Sequence, residues 1–260
     1  MDLQLQGKLA LVTGGSAGIG RAVARLLTAE GCRVAIVGRD EARLAALRAE
    51  PGMENTLTFR ADLSEPEAAA RVANDLFTQA DVPDILVNSV GAAQGGLFWE
   101  LDDQVWNDAF NLKFMGTVRM LRAILPHMVA RNSGNVVTIV GNNGRQPGPR
   151  FLPGSSANAA LLALTKGLAD EVAAKGVVIN AVNPGPTRTG RWNGLMAKAA
   201  ADSGRSVAEV EAGHVAAIPR GVLSEPEEIA RYVVFLCSPL ATAALGTSFT
   251  IDGGATRALA

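Results

Sequence analysis

The chain has little of what many functional sites are built from. Its 260 residues include 2 cysteines, 2 histidines and 1 tyrosine. Cys32, Cys237, His127 and His214 are too few for an ordinary structural zinc site, so no metal is expected. No uncharged apolar run reaches the ~20 residues of a bilayer span. Met1-Asp2-Leu3-Gln4 lacks the basic start and apolar stretch of a secretory leader. No membrane partner is therefore expected. An excess of one charge is also missing: Lys+Arg 24 against Asp+Glu 25 leaves −1, which argues against nucleic acid or a polyacidic partner. The cysteines lie in apolar contexts and read as buried thiols of a cytoplasmic protein.

What is present is apolar residue: 48% of the chain is hydrophobic, which excludes disorder, and the length suits one large domain. Short β-branched runs alternate with helical stretches. Leu9–Thr13, Arg33–Val37, Thr56–Arg60, Ile85–Val87, Val136–Val140, Val177–Ile179 and a run around Ser248–Ile251 read as strands. Ile19–Glu30, the stretch from an Asp40 cap to Pro51-Gly52, Glu65–Gln79, Gln104–Arg131, Ser155–Ala174 and Pro226–Cys237 read as helices. This alternation predicts a doubly wound parallel sheet of Rossmann type, a three-layer α/β/α single domain over residues 1–260. The least regular stretch, Gly185–Ser224, is expected to be a mobile surface element.

The first strand runs into Thr13-Gly14-Gly15-Ser16-Ala17-Gly18-Ile19-Gly20 and then a helix. Glycines let the backbone turn and approach a pyrophosphate, and the helix start offers free N–H groups. A plain βα turn is the unliganded alternative. In this context the Thr-Gly-x-x-x-Gly-x-Gly pattern resembles the short-chain dehydrogenase/reductase family, over nearly the whole chain. Asp62-Leu63 sits where that family contacts adenine. Asn88-Ser89-Val90-Gly91 resembles its Asn-Asn-Ala-Gly segment, departing at Ser89 and Val90. Asn111, in Asn-Leu-Lys-Phe-Met-Gly, is similar to its helix-borne asparagine. Asn183-Pro184-Gly185-Pro186-Thr187-Arg188-Thr189 resembles its nicotinamide loop, and Ile251-Asp252-Gly253-Gly254 its closing turn. The resemblance implies cofactor contacts at Gly14, Ser16, Gly18, Ile19, Gly20, Arg39, Asp62, Leu63, Asn88, Gly91, Pro184, Gly185, Thr187 and Thr189.

Charge argues for the nucleotide. An NAD site wants a carboxylate at the end of the second strand; a 2′-phosphate wants a cation. The chain has Gly38 there, then Arg39, a phosphate clamp that can stack on adenine, with Ser16 assisting. Asp40 reads as a helix cap. NADP is expected ahead of NAD.

The family reaction implied is hydride transfer between nicotinamide and a carbonyl or alcohol, with tyrosine, lysine, serine and asparagine handling the proton. Here the pattern breaks. Four residues beyond Tyr232 stands Leu236, so no Tyr-x-x-x-Lys exists anywhere. Tyr232 itself reads as a core residue. Alignment by context puts Gly154 at the tyrosine position, Asn158 at the lysine position and Gly141 at the serine position. Asn111 remains. Asn158 can still hydrogen-bond the ribose, and Asn142 and Asn143 lie where they could touch a carbonyl. Asn111, Asn142 and Asn158 are thus the catalytic candidates. The space beside Gly154 could take a bulky substrate, water, or Phe151 folding inward. Ser155 and Ser156 read as helix caps.

Residues 186–224 match the family's substrate lid, with Trp192, Leu195 and Met196 as an apolar wall and His214 as a minor catalytic candidate. Family analogy makes the two long helices an oligomer interface, with Ala157, Ala160 and Ala163 permitting close approach. Two functions are open: an oxidoreductase on a small-molecule carbonyl or alcohol, working as a homo-oligomer (dimer or tetramer), or a silent subunit in a hetero-oligomer with an active homologue.

Overall fold

Strand β1 (Leu9–Thr13) is buried along its whole length, as an apolar run covered on both faces must be. Its side chains alternate between faces: Leu9 and Leu11 enter one core, Ala10 and Val12 the other. The computed structural model describes residues 1–258. Around β1 stand β2 (Arg33–Gly38), β3 (Leu57–Arg60), β4 (Ile85–Asn88), β5 (Gly134–Ile139), β6 (Val177–Pro184) and β7 (Ser248–Ile251). Every pairing is parallel, in the order β3-β2-β1-β4-β5-β6-β7. The helices are α1 (Gly18–Ala29), α2 (Glu41–Arg48), α3 (Ala68–Gln79), α4 (Asp103–Ala109), α5 (Gly116–Ala130), α6 (Leu152–Val172), α7 (Gly190–Ser203), α8 (Val207–Ala216) and α9 (Pro226–Leu236).

Parallel strands need crossovers, and the crossover helices cover both faces. Val23 and Leu27 of α1 and Ile229, Val233 and Val234 of α9 close one face. Val72 and Leu76 of α3 and Met120, Ile124 and Met128 of α5 close the other. The chain leaves β1 toward β2 and β3, then returns to place β4 on the opposite side. That reversal opens a crevice at the carboxyl ends of β1 and β4, where α/β sheets bind ligands. The doubly wound, three-layer α/β/α expectation holds.

Several local readings need correction. Gln104–Arg131 is not one regular helix: a π-helical turn at Phe110–Met115 separates α4 from α5. The widened turn frees backbone carbonyls, and side chains take them up. Arg119 Nη1 lies 3.3 Å from the Asn111 carbonyl, and the Thr117 hydroxyl donates to the Lys113 carbonyl at 2.8 Å. Ser155 is no cap; α6 begins earlier, and the Ser155 hydroxyl donates to the Phe151 carbonyl at 3.0 Å inside the first turn. Tyr232 is 49% exposed, on the outer side of α9. Ala157 is fully buried, so the small residues that α6 turns outward are Ala159, Ala163 and Gly167. Asp40 does cap α2, accepting from the Arg43 N–H at 3.1 Å. Cys32 and Cys237 are both buried free thiols.

Candidate functional site

The glycine turn fits its strand–turn–helix place by sterics. Gly14 has φ +64°, and a Cβ there would stand 2.8 Å from the Ser89 carbonyl oxygen. A Cβ on Gly20 would run into the Gly14 carbonyl. Side chains are excluded, so β1, the turn and the segment after β4 approach one another closely. Helix α1 follows Ala17, which gives it no side-chain cap, and it has no acid in its first turn. Its free N–H groups and positive dipole end therefore face the crevice unneutralised. Ile19 is half-buried in that first turn.

At the second strand, a Cβ on Gly38 would lie 2.9 Å from Ser16 Oγ. A carboxylate could not stand there without displacing Ser16. Arg39 Nη1 lies 3.6 Å from Asp62 Oδ2, and the arginine side chain is mostly exposed. Burial would raise the Asp62 carboxyl, but the Ser64 N–H and O–H, donating at 2.9 and 2.7 Å, and Arg39 hold it below the ordinary carboxylate value. The Leu63 side chain is in the core, and its carbonyl is engaged by Arg119 Nη1 at 3.2 Å.

Asn88 ends β4 fully buried, and neither its amide nitrogen nor its oxygen has a partner. Unpaired buried amides are costly and call for a ligand or water. Asn183 on β6 has the same character; sequence reading placed it only within a motif. Gly185 follows Pro184 with its N–H on the Ile251 carbonyl at 3.0 Å. Thr187 is buried, its hydroxyl on the Gly185 carbonyl at 2.9 Å. Thr189 caps α7, accepting from the Trp192 N–H at 3.2 Å. Its methyl lies 3.4 Å from where a Gly18 Cβ would stand. The loop after β6 thus meets the turn after β1, and all the expected cofactor positions gather on one edge.

On the chemistry side, Asn111 lies in the π-helical turn. Asn158 is buried on α6; its Nδ2 stands 3.0 Å from the place of a Gly141 Cβ, and its Oδ1 has no partner. Gly141 has φ +129°, which L side chains rarely adopt. Asn142 Nδ2 reaches Asp252 Oδ2 at 3.4 Å. That carboxylate also takes the Gly254 and Thr256 N–H groups, so Asn142 is tied to the closing turn. The space beside Gly154 is occupied: a Cβ there would collide with the edge of the Phe151 ring at Cζ and Cε1. Arg150, at φ +63°, is held by its carbonyl accepting from the Gly96 N–H at 2.9 Å, and this aims Phe151 inward. The Arg191 guanidinium sits 5.9 Å above the Phe151 ring and donates to the Gly91 carbonyl at 2.8 Å.

The 186–224 stretch is more regular than its composition suggests. It carries two helices, α7 and α8, the latter with a Ser206–Glu209 capping box. Trp192 and Met196 do not wall a substrate cleft; they pack inside the segment's own core with Ala200, Val210, Ile218 and Leu223. His214 stands edge-on to Trp192 at 5.6 Å, a packing role. Leu195 is partly exposed.

The parallel sheet, the reversal of strand order and the crevice above it define a Rossmann-like α/β domain. The model for short chain dehydrogenases matches residues 8–200. An uncharacterized oxidoreductase of Bacillus subtilis (strain 168), YvrD, is 34% identical over 264 residues, covering 100% of both chains. The 3-oxoacyl-[acyl-carrier-protein] reductase FabG of Vibrio harveyi is 34% identical over 255 residues, covering 97% of this chain and 98% of its own. L-sorbose reductase from Gluconobacter frateurii, solved with NADPH and L-sorbose, superposes with a TM-score of 0.93 at 30% identity over 100% of both chains. The chain belongs to the short-chain dehydrogenase/reductase family of oxidoreductases. No helix among the described residues is long and apolar enough to cross a membrane.

Proposed function

We propose that this chain is an NADPH-dependent oxidoreductase acting on a small carbonyl or alcohol through a rebuilt proton-transfer site. The observation that carries the reading is the nucleotide end of the crevice. An uncapped helix start, the unpartnered Asn88 and a Gly38–Ser16–Arg39 corner with no carboxylate converge there. Gly14, Gly18 and Gly20 let the backbone approach the pyrophosphate. Ser16 and Arg39 would hold the 2′-phosphate, and Asp62 the adenine edge. Asn88, Gly91, Pro184, Gly185, Thr187 and Thr189 would frame the nicotinamide. When bound, the reduced cofactor supplies a hydride. Related proteins agree in kind, one of them solved with NADPH.

The proton-transfer side departs from the family. Gly141, Gly154 and Asn158 stand where the family carries serine, tyrosine and lysine, and Asn111 remains of the usual set. Phe151 fills the tyrosine space, so the substrate meets an apolar ring there rather than a phenol. Asn158 can orient ribose or water through its unpartnered Oδ1 but brings no charge. Purified protein should bind NADPH and oxidise it with some member of a broad ketone and aldehyde panel. Tight binding without turnover on any compound would refute the enzymatic part.

The Phe151 plug also favours a second reading, a catalytically silent subunit paired with an active homologue. Co-purification with a second family member carrying the Tyr-x-x-x-Lys pair would select it. A homogeneous active homo-oligomer would exclude it.

A further inference from the structure

Among the described residues, Lys113 is the one amine that the fold carries to the chemistry end of the crevice. It sits in the π-helical turn, a geometry often found at functional sites. Its stem lies against Gly91: a Cβ on that glycine would stand 2.8 Å from Lys113 Cδ. Its Nζ donates to the Val140 carbonyl at 2.5 Å, immediately before Gly141. The amine therefore lies between the segment after β4 and the end of β5, on the edge that gathers Asn88 and the glycine turn. No carboxylate faces it among the described residues; the one charged neighbour is the Arg191 guanidinium from α7, which is of like sign. The π-helical turn, β5 and α6 present no other titratable group to it. Lys113 is half-buried, and an amine held beside a cation with no carboxylate is an unfavourable arrangement for stability alone. One bond to Val140 also leaves two of its three N–H donors unassigned.

We infer that Lys113 is the proton donor of the rebuilt site, in place of the absent tyrosine. This deepens the oxidoreductase reading above and rests on it. As the carbonyl carbon accepts the hydride that the reduced dinucleotide supplies, the substrate oxygen takes a proton from Nζ. An N–H bond breaks and an O–H bond forms; the carbonyl is reduced to the alcohol and the dinucleotide is oxidised. The neutral amine then regains a proton from water. Withdrawal from water, with Arg191 adding to it, draws the Lys113 amine down to about 7, where it can both give and regain a proton at neutral pH.

The first test needs no turnover. With 13Cε-labelled lysine the chain gives five lysine signals, and the one lost in Lys113→Met identifies Lys113. It should titrate near 7. Titration of Lys113 above 10 would overturn the inference. The second test compares wild type, Lys113→Met and Lys113→Arg. Both variants should bind NADPH within about threefold of wild type, which also shows that they fold. Both should lose kcat by about a hundredfold or more, and the wild-type fall in rate through pH 7 should vanish. A Lys113→Met protein that binds NADPH and keeps kcat within threefold removes Lys113 alone. A wild type that binds neither coenzyme instead removes the reading of the whole site.

Discussion

Replacing Gly154 with alanine sets two effects against each other. A glycine-to-alanine change in a helix ordinarily gains up to about 1 kcal/mol. Here the new methyl runs into the edge of the Phe151 ring, and forcing it into a filled space costs about 1–3 kcal/mol. The single substitution should therefore destabilise by about 1 kcal/mol. Phe151→Ala removes a half-buried ring. It should cost roughly half the ~3–5 kcal/mol of a fully buried phenylalanine, about 2 kcal/mol. With the ring gone, Gly154→Ala should reverse sign and stabilise by up to about 1 kcal/mol. The cycle thus predicts a coupling of about 2 kcal/mol, within the range of residues in direct contact. Urea unfolding of the four proteins measures it, provided the m-values agree. If Gly154→Ala has the same effect with and without Phe151, the ring does not cover Gly154 and the plug is not real.

Three further perturbations test other parts of the structure. Gly38→Asp places a carboxylate against Ser16 and opposite a 2′-phosphate; fluorescence titration should show NADPH affinity falling at least tenfold while NADH affinity holds or improves. Ile124→Ala, in the core between α5 and the sheet, should lower unfolding free energy by about 2–5 kcal/mol, read by urea denaturation. Cys32 is pushed up to about 12 by burial first and then by Asp84 and Glu30. The folded chain therefore keeps that proton longer than the unfolded chain does. The stability it lends is full below about pH 9, the ordinary thiol value, and is lost as pH climbs toward 12. Urea midpoints should fall less steeply over that window in Cys32→Ser, and both native thiols should resist a thiol reagent at pH 8 until the chain is unfolded.

The sheet was legible because its signals are local. Leu9–Thr13 is apolar throughout, which a doubly covered parallel strand requires, and Asp40 could be read as a cap from its place before Glu41. The turn at Gly14–Gly20 carried the crevice with it. Phe151 could be named from the sequence as one of three occupants of the space beside Gly154, along with a bulky substrate and water. The π-helical turn was not legible. Nothing in the periodicity of Gln104–Arg131 marks one widened turn, and that turn decides where Lys113 points. Tyr232 misled because its apolar neighbours Val233 and Val234 lie on the face of α9 that packs, while Tyr232 lies on the face that does not. Trp192 and Met196 misled for the related reason that a lid can hold a small core of its own. Gly185–Ser224 looked irregular because the caps of its two helices, Thr189 and Ser206, lie among other polar residues.

The proposed chemistry turns on a phosphorylated nicotinamide dinucleotide lying in the crevice above β1 and β4. Calorimetric titration of the purified chain with NADPH and, separately, with NADH tests it most directly. Both should bind saturably, NADPH at least tenfold more tightly; no measurable heat or saturation with either would rule out a dinucleotide site.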